Sequence, residues 1–205
     1  MIRRNHSSAP GRILAAGLLT LCPPFAGSLA AGNVPAPPAG APAVSVCRTY
    51  ADPQETLYAL HYVCTQQQLN TIFARAAAGG MPGWGRNGAG YARLVDGVPQ
   101  PVEPVSRLLA GFWDGKTFYT DAHGGYLTND LLPSKGGVSA IAGAVFFDDY
   151  PLDGRPCIHI AYPEADFAWV ADYIRQVQPG VFLGMMLNRN TNLPVATFTL
   201  DFTGG

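Results

Sequence analysis

The chain is short of charge. Asp, Glu, Lys and Arg make up 13% of it, the formal net charge is −1, and no basic cluster occurs beyond Arg12. Phosphate backbones are held through many Lys and Arg contacts, so a nucleic-acid partner is not expected. Cysteines of the C-x-x-C type are absent, and with them the usual spacing of a metal site, so no metal and no cofactor are expected. The sequence also lacks the G-x-S-x-G turn of a serine nucleophile and the glycine motif that cradles phosphate; Ser134 and Ser139 sit in a glycine-rich loop instead. An uninterrupted apolar run is missing too. The one near the N-terminus is broken by Pro23-Pro24, whereas a bilayer core of about 30 Å needs about 20 apolar residues in succession, so no membrane span is expected.

What the sequence does contain is turn and ring. There are 24 glycines and 18 prolines, and aromatic residues reach 11%, a profile that suits strands and turns around an apolar interior rather than a helical bundle. The first 31 residues, with Arg3, Arg4 and Arg12 ahead of ILAAGLLTLCPPFAG and a small-residue SLAAG, read as a secretory signal peptide cleaved near Ala30 or Ala31. Cys22 follows Leu21, where a lipoprotein signal has a small residue, and a lipid anchor there is not the preferred reading. The expected location is periplasmic or secreted. Residues 32–46 are rich in Pro and Ala and read as a linker, leaving 47–205 as a single domain. In an oxidising compartment Cys47 and Cys64 have the option of closing a small loop, and Cys157, inside the apolar run CIHIAY, reads as a buried free thiol.

Asp52-Pro53 supplies a helix N-cap and a first-turn proline, and Leu57, Leu60, Val63, Leu69, Ile72 and Phe73 recur at helical spacing up to Gly79-Gly80. AGYARLV reads as a first strand, and SRLLAGFW as a short helical turn that delivers Trp113. Three hairpins follow: GKTFYTD with GYLTNDLL, AIAGAVFFDDY with RPCIHIAYP across PLDG, and GVFLGMMLN with LPVATFTLDF. Between Glu164 and Gln178, Phe167, Val170, Ala171, Ile174 and Val177 line one face of an expected helix that Pro179-Gly180 would stop. The fold class is therefore mainly β (α+β): an antiparallel barrel or half-barrel with one helix across an end and an N-terminal helix.

Gly111-Phe112-Trp113 resembles the G-x-W signature that opens the barrel of lipocalins. The resemblance implies a lipocalin-like barrel whose floor is closed by Trp113. From about Gly83 to Phe202, the segments Trp113 to Phe118, Leu152 to Gly154, Asp172 to Arg175 and Pro179 to Gly184 are also similar to a group of uncharacterised bacterial secreted proteins, which implies a shared fold and no activity.

Candidate functional residues follow from placement. His159 shares a strand face with Cys157, while Ile158, Ile160 and Tyr162 form the better core face; paired with Asp148 or Asp149 from the partner strand, and with Tyr150 close by in sequence, His159 makes an acid/base set, or simply a hydrogen-bonded structural histidine. Arg175 either pairs with Asp172 on a helix surface or holds a ligand carboxylate at the barrel mouth. Lys116, Tyr119, Tyr126 and Tyr162 suit the wall of a pocket for an amphipathic or aromatic molecule, and suit a core equally. The expected partner is a small hydrophobic or aromatic molecule, one with a carboxylate being read by Arg175. Three functions remain open: a binding barrel for such a molecule, a cofactor-independent lyase or isomerase acting on it, or an envelope interaction module with a filled barrel and an exposed apolar patch.

Overall fold

The computed structural model describes residues 40, 43–95, 113–131, 140–164 and 166–204. The expected signal peptide with Cys22, most of the expected linker, Gly111-Phe112, the expected SRLLAGF turn, and Ser134 and Ser139 lie outside the described residues.

Eight antiparallel strands follow one another around a closed barrel, each pairing with its neighbours in sequence, and the last pairs with the first. They are β1 (Arg86–Leu94), β2 (Trp113–Thr120), β3 (Gly125–Leu131), β4 (Ala140–Asp149), β5 (Pro156–Ala161), β6 (Val170–Gln178), β7 (Val181–Asn188) and β8 (Pro194–Asp201). Closure leaves no unpaired edge, so every strand finds its ladder partners within the chain.

The three expected hairpins are β2–β3, β4–β5 and β7–β8. Turn chemistry explains them. Asp121 accepts from the backbone N–H of His123 and Gly124 between β2 and β3, and Gly154 (φ 63°) lets the chain reverse between β4 and β5.

The expected helix over 164–178 is the main correction. Its second half is strand β6, paired with β7 along its length and with β5 from Ala171 to Ile174. Val170 and Ile174 point into the barrel, while Ala171 and Tyr173 lie under the N-terminal helices outside it. A strand covered on both faces carries apolar residues at odd and even positions alike, and that run imitates a helical stripe.

The N-terminal helical segment is present but divided. Helix α1 (Pro53–Tyr58) continues as a π-helical turn, Ala59–Val63, and α2 (Gln66–Arg75) begins afresh after Cys64. Asp52 caps α1 by accepting from the Gln54 N–H. Thr65 and Gln68 form a reciprocal capping box at the start of α2. Cys64 is bonded to Cys47, which fixes the break between the helices.

Alternation along the strands creates two apolar cores. Phe118, Leu127, Val145, Ile158, Ile160, Phe182, Phe198 and Leu200 fill the barrel. Leu57, Leu60, Leu69 and Phe73 bury the outer face of β5 to β7 against Cys157, Tyr173, Leu183 and Met185. Fully burying one such side chain contributes about 1.5–3 kcal/mol, so the helices are structural cladding for one side of the barrel. Among the described residues no helix is long and apolar enough to cross a membrane.

Candidate functional site

The strand register brings together, inside an otherwise apolar barrel, four polar side chains that are distant in sequence. Lys116 on β2 stands directly opposite Asn129 on β3. Asp172 on β6 lies opposite Ile160 of β5, close to Tyr162 just beyond the end of that strand. All four are buried, Lys116 at 2% and Asp172 at 0% exposure.

Their hydrogen bonds can be counted out atom by atom. Lys116 Nζ donates to Asn129 Oδ1 and to the Tyr162 hydroxyl, each at 2.6 Å, and lies 3.0 Å from Asp172 Oδ2. An ammonium has three N–H donors, so all of them are engaged. The Tyr162 hydroxyl in turn donates to Asp172 Oδ2 at 2.6 Å. Asn129 Oδ1 also accepts from the Trp113 indole N–H at 3.1 Å, and its amide donates to the Ile141 carbonyl at 3.0 Å. Asp172 Oδ1 has no partner among the described residues. Among the described residues it is the one atom of the four side chains left without a partner, and it is an acceptor.

The electrostatics follow from burial. Loss of water lowers the Lys116 pKa, and the adjacent Asp172 carboxylate acts against that shift. Burial first, then the charge of Asp172, holds the Tyr162 phenol well above its ordinary value, so this hydroxyl keeps its proton. The rings of Trp113, Tyr162 and Phe198 lie 5.3–5.4 Å from Lys116 Nζ, and their faces favour a cation there.

A pocket opens onto this network. Its walls include Trp113, Ile141, Phe167, Val170, Met186 and Phe198, and its polar end is Lys116, Asn129, Tyr162 and Asp172. It encloses about 330 Å³ with the open mouth counted, but a water-sized molecule can move its centre through only about 10 Å³ of that. The inner part therefore admits a thin group.

Of the residues singled out in the sequence, Lys116 and Tyr162 meet in this pocket. Trp113 stands at its edge, half-buried, with its ring against Phe198.

The others are elsewhere. Tyr119 and Tyr126 are a stacked cross-strand pair on the outer surface beside the exposed Trp84. Tyr150 is buried outside the barrel against Phe73 and Tyr173, and burial raises its pKa. Cys157 is a buried free thiol whose pKa burial pushes up to about 12, which leaves it inert as a nucleophile.

His159 and Asp148 do come together, Nδ1 to Oδ2 at 3.0 Å, and that bond is the main cause of the lowered Asp148 pKa. The pair lies on the outer wall. The imidazole is stacked on Tyr173 and tilted against Phe146, and its Nε2 has no partner among the described residues.

Arg175 requires a correction of placement. Because the segment is a strand and not a helix, Asp172 and Arg175 project to opposite faces. Arg175 lies outside the barrel at 0% exposure. It makes a two-pronged bond to Asp153 at 2.7 and 2.8 Å and donates to the carbonyls of Phe73, Arg155 and Pro156. With these donors spent on the protein, it ties α2 to the β4–β5 turn.

Asp172 as a pocket residue, and Asn129 altogether, were missed in the sequence. The available signal was Lys116 itself: a lysine on the core-facing side of a strand needs a buried carboxylate.

No family model matches the chain, and no curated protein matches it. A solved structure described as a protein from Thermomonospora curvata is similar over 67% of this chain and 87% of its own, at 19% identity and a TM-score of 0.43; that likeness carries no inference about fold or function.

Proposed function

We propose that the barrel binds a small, largely apolar molecule that presents one hydroxyl or N–H group to the interior, and that it does so in the periplasm or outside the cell. The observation that carries this reading is the unpartnered Asp172 Oδ1 at the polar end of an apolar-walled pocket. A buried acceptor without a donor is costly, about 1–3 kcal/mol, and a ligand donor removes that cost. The carboxylate-bearing ligand expected from the sequence loses its support, because Arg175 faces away from the pocket and is bonded to Asp153. The Cys47–Cys64 bond supports an oxidising compartment.

Trp113 stands at the pocket, so its fluorescence reports occupancy. Titration with phenol, and with anisole in which the hydroxyl is methylated, separates donor recognition from burial alone. Phenol is expected to bind more tightly by about tenfold, the equivalent of one ordinary hydrogen bond, with the preference lost in Asp172→Ala. Equal affinities, or no response to either compound, would overturn the reading.

A cofactor-independent lyase or isomerase is the second reading. The same open oxygen favours it, since Asp172 Oδ1 is free to take a proton while the Tyr162 phenol beside it holds one. That moves the acid/base role from His159 and Asp148, which lie outside the barrel, to Asp172 and Tyr162. Turnover of a bound ligand that stops in Asp172→Asn, with binding retained, would select this reading over simple carriage.

A further inference from the structure

Lysine is rare in this chain, Lys116 and Lys135 being its two, and one of them is enclosed in the barrel. A purely structural cation there would be served as well by arginine, which spreads its charge and never deprotonates. Lysine differs in being able to become a neutral amine. Three features around Lys116 bear on that difference. Lys116 is one of the residues that line the pocket. The carboxylate 3.0 Å away has a second oxygen with no donor among the described residues. The phenol 2.6 Å away is already bonded to that carboxylate, so a proton leaving Nζ has a place to go.

We propose that Lys116 captures the carbonyl group of a small aldehyde or ketone as an imine, with Asp172 carrying the protons. This rests on reading the pocket as a ligand site, and it names the ligand class.

The step balances without any oxidant or reductant. The ammonium gives one proton to Asp172 Oδ2, the oxygen 3.0 Å away, and the freed lone pair forms a C–N bond as the carbonyl π pair moves to oxygen. That oxygen takes the proton back from Asp172 and becomes a hydroxyl. The new N–H then gives a proton to Asp172, which passes it to the hydroxyl. The C–O bond breaks, water leaves and the nitrogen lone pair closes the C=N bond. The product is a protonated imine, one positive charge as before, facing the same carboxylate and the same three rings.

Burial also works in the required direction, since each unit by which it lowers the lysine pKa multiplies the neutral amine about tenfold. The apolar wall holds the remainder of the molecule and limits it to a thin chain or a flat ring.

The test is reductive trapping on the folded protein. Propanal, thin enough for the inner space, is added with sodium cyanoborohydride at about pH 6.5, where an ordinary lysine is almost wholly protonated, and the modified lysines are located by peptide mass mapping. Lys116 is expected to gain one propyl group at least about tenfold faster than Lys135, and phenol is expected to slow Lys116 without slowing Lys135. Lys116→Arg keeps the charge but cannot form an imine, and should remove the fast label. Modification of Lys135 alone, or of Lys116 only after unfolding, overturns the proposal. If phenol still changes the Trp113 fluorescence in that case, imine chemistry fails and the binding reading stands. If the phenol response is absent as well, both fall together.

Discussion

The Tyr162 hydroxyl and Lys116 Nζ converge on one oxygen of Asp172, at 2.6 and 3.0 Å, and the other oxygen has no partner among the described residues. A charged pair in an apolar barrel is not a free gain in stability, because each ion has lost its water. The arrangement therefore has to be judged by what happens when half of it is removed.

Lys116→Met leaves Asp172 charged and buried with only the phenol to hold it, and should destabilise by about 3–5 kcal/mol. Lys116→Met combined with Asp172→Asn removes both charges and should recover more than half of that loss. Urea unfolding of the single and double variants measures the coupling. Additive losses would show that the two groups do not act as a pair.

Arg175 offers a contrasting case, a buried cation with no route to the pocket. Replacing it with Met deprives Asp153 of the side-chain hydrogen bonds that are the main cause of its lowered pKa and takes a charged donor from the Phe73, Arg155 and Pro156 carbonyls, the first two of which keep the backbone N–H of Ala76 and Tyr150, so a loss of about 3–5 kcal/mol is expected. The phenol affinity of the protein that remains folded should not change. A selective loss of binding with unchanged stability would return Arg175 to the site.

These two residues also show what sequence could and could not convey. The hairpins were legible because local turn chemistry sets them: Asp121 and Gly154 act within a few residues. Strand β6 was not, since Ala171 and Tyr173 are apolar only because α2 and its neighbours cover the outer wall, a fact of tertiary structure. Misreading that one segment placed Asp172 and Arg175 side by side when the strand sends them to opposite faces. Lys116 and Tyr162 could be nominated from their strands. Their meeting with Asp172 and Asn129 depends on register across four strand pairs, β2–β3 to β5–β6, which no local pattern encodes. His159 could be set beside Asp148 or Asp149 from the sequence because they flank a single short hairpin, where register follows from the turn; the structure has the bond to Asp148.

The inward face of β1 carries glycine where ring edges enter. A Cβ built on Gly90 would come within 2.5 Å of the Trp113 ring and 2.7 Å of the Gly115 Cα. One obstacle is a side chain and the other is backbone, so the site cannot relieve the clash by a rotamer change alone. Gly90→Ala should cost about 1–3 kcal/mol by overpacking and displace Trp113 from the pocket edge. A shifted tryptophan emission spectrum together with weaker phenol binding is the expected result; wild-type emission and stability would mean that the ring has free space behind it.

Acid should loosen the cladding before it reaches the barrel. His61 sits in the π-helical turn, where its Nε2 meets the Thr199 hydroxyl and its ring stacks on Tyr91. Burial, followed by the charge of Arg93, lowers its pKa to about 4, with Asp201 pulling the other way. The unfolded chain takes up this proton near its ordinary value of about 6.5, and the folded protein not until about 4. Between those limits the unfolded state binds more protons, so the contribution is complete above the upper limit and falls as pH drops toward the lower one, by roughly 3 kcal/mol in all. The lowered carboxylates Asp148, Asp153 and Asp201 also lose stability with acid, but only as pH approaches and passes below about 4, where their unfolded forms protonate. The two causes are thus separated by window. Urea midpoints taken at intervals from neutral to about pH 4.5 should decline in the wild type and stay nearly level in His61→Gln. A decline of the same size in both proteins would assign the effect to other groups and leave His61 a neutral packing residue with no part in the response to acid.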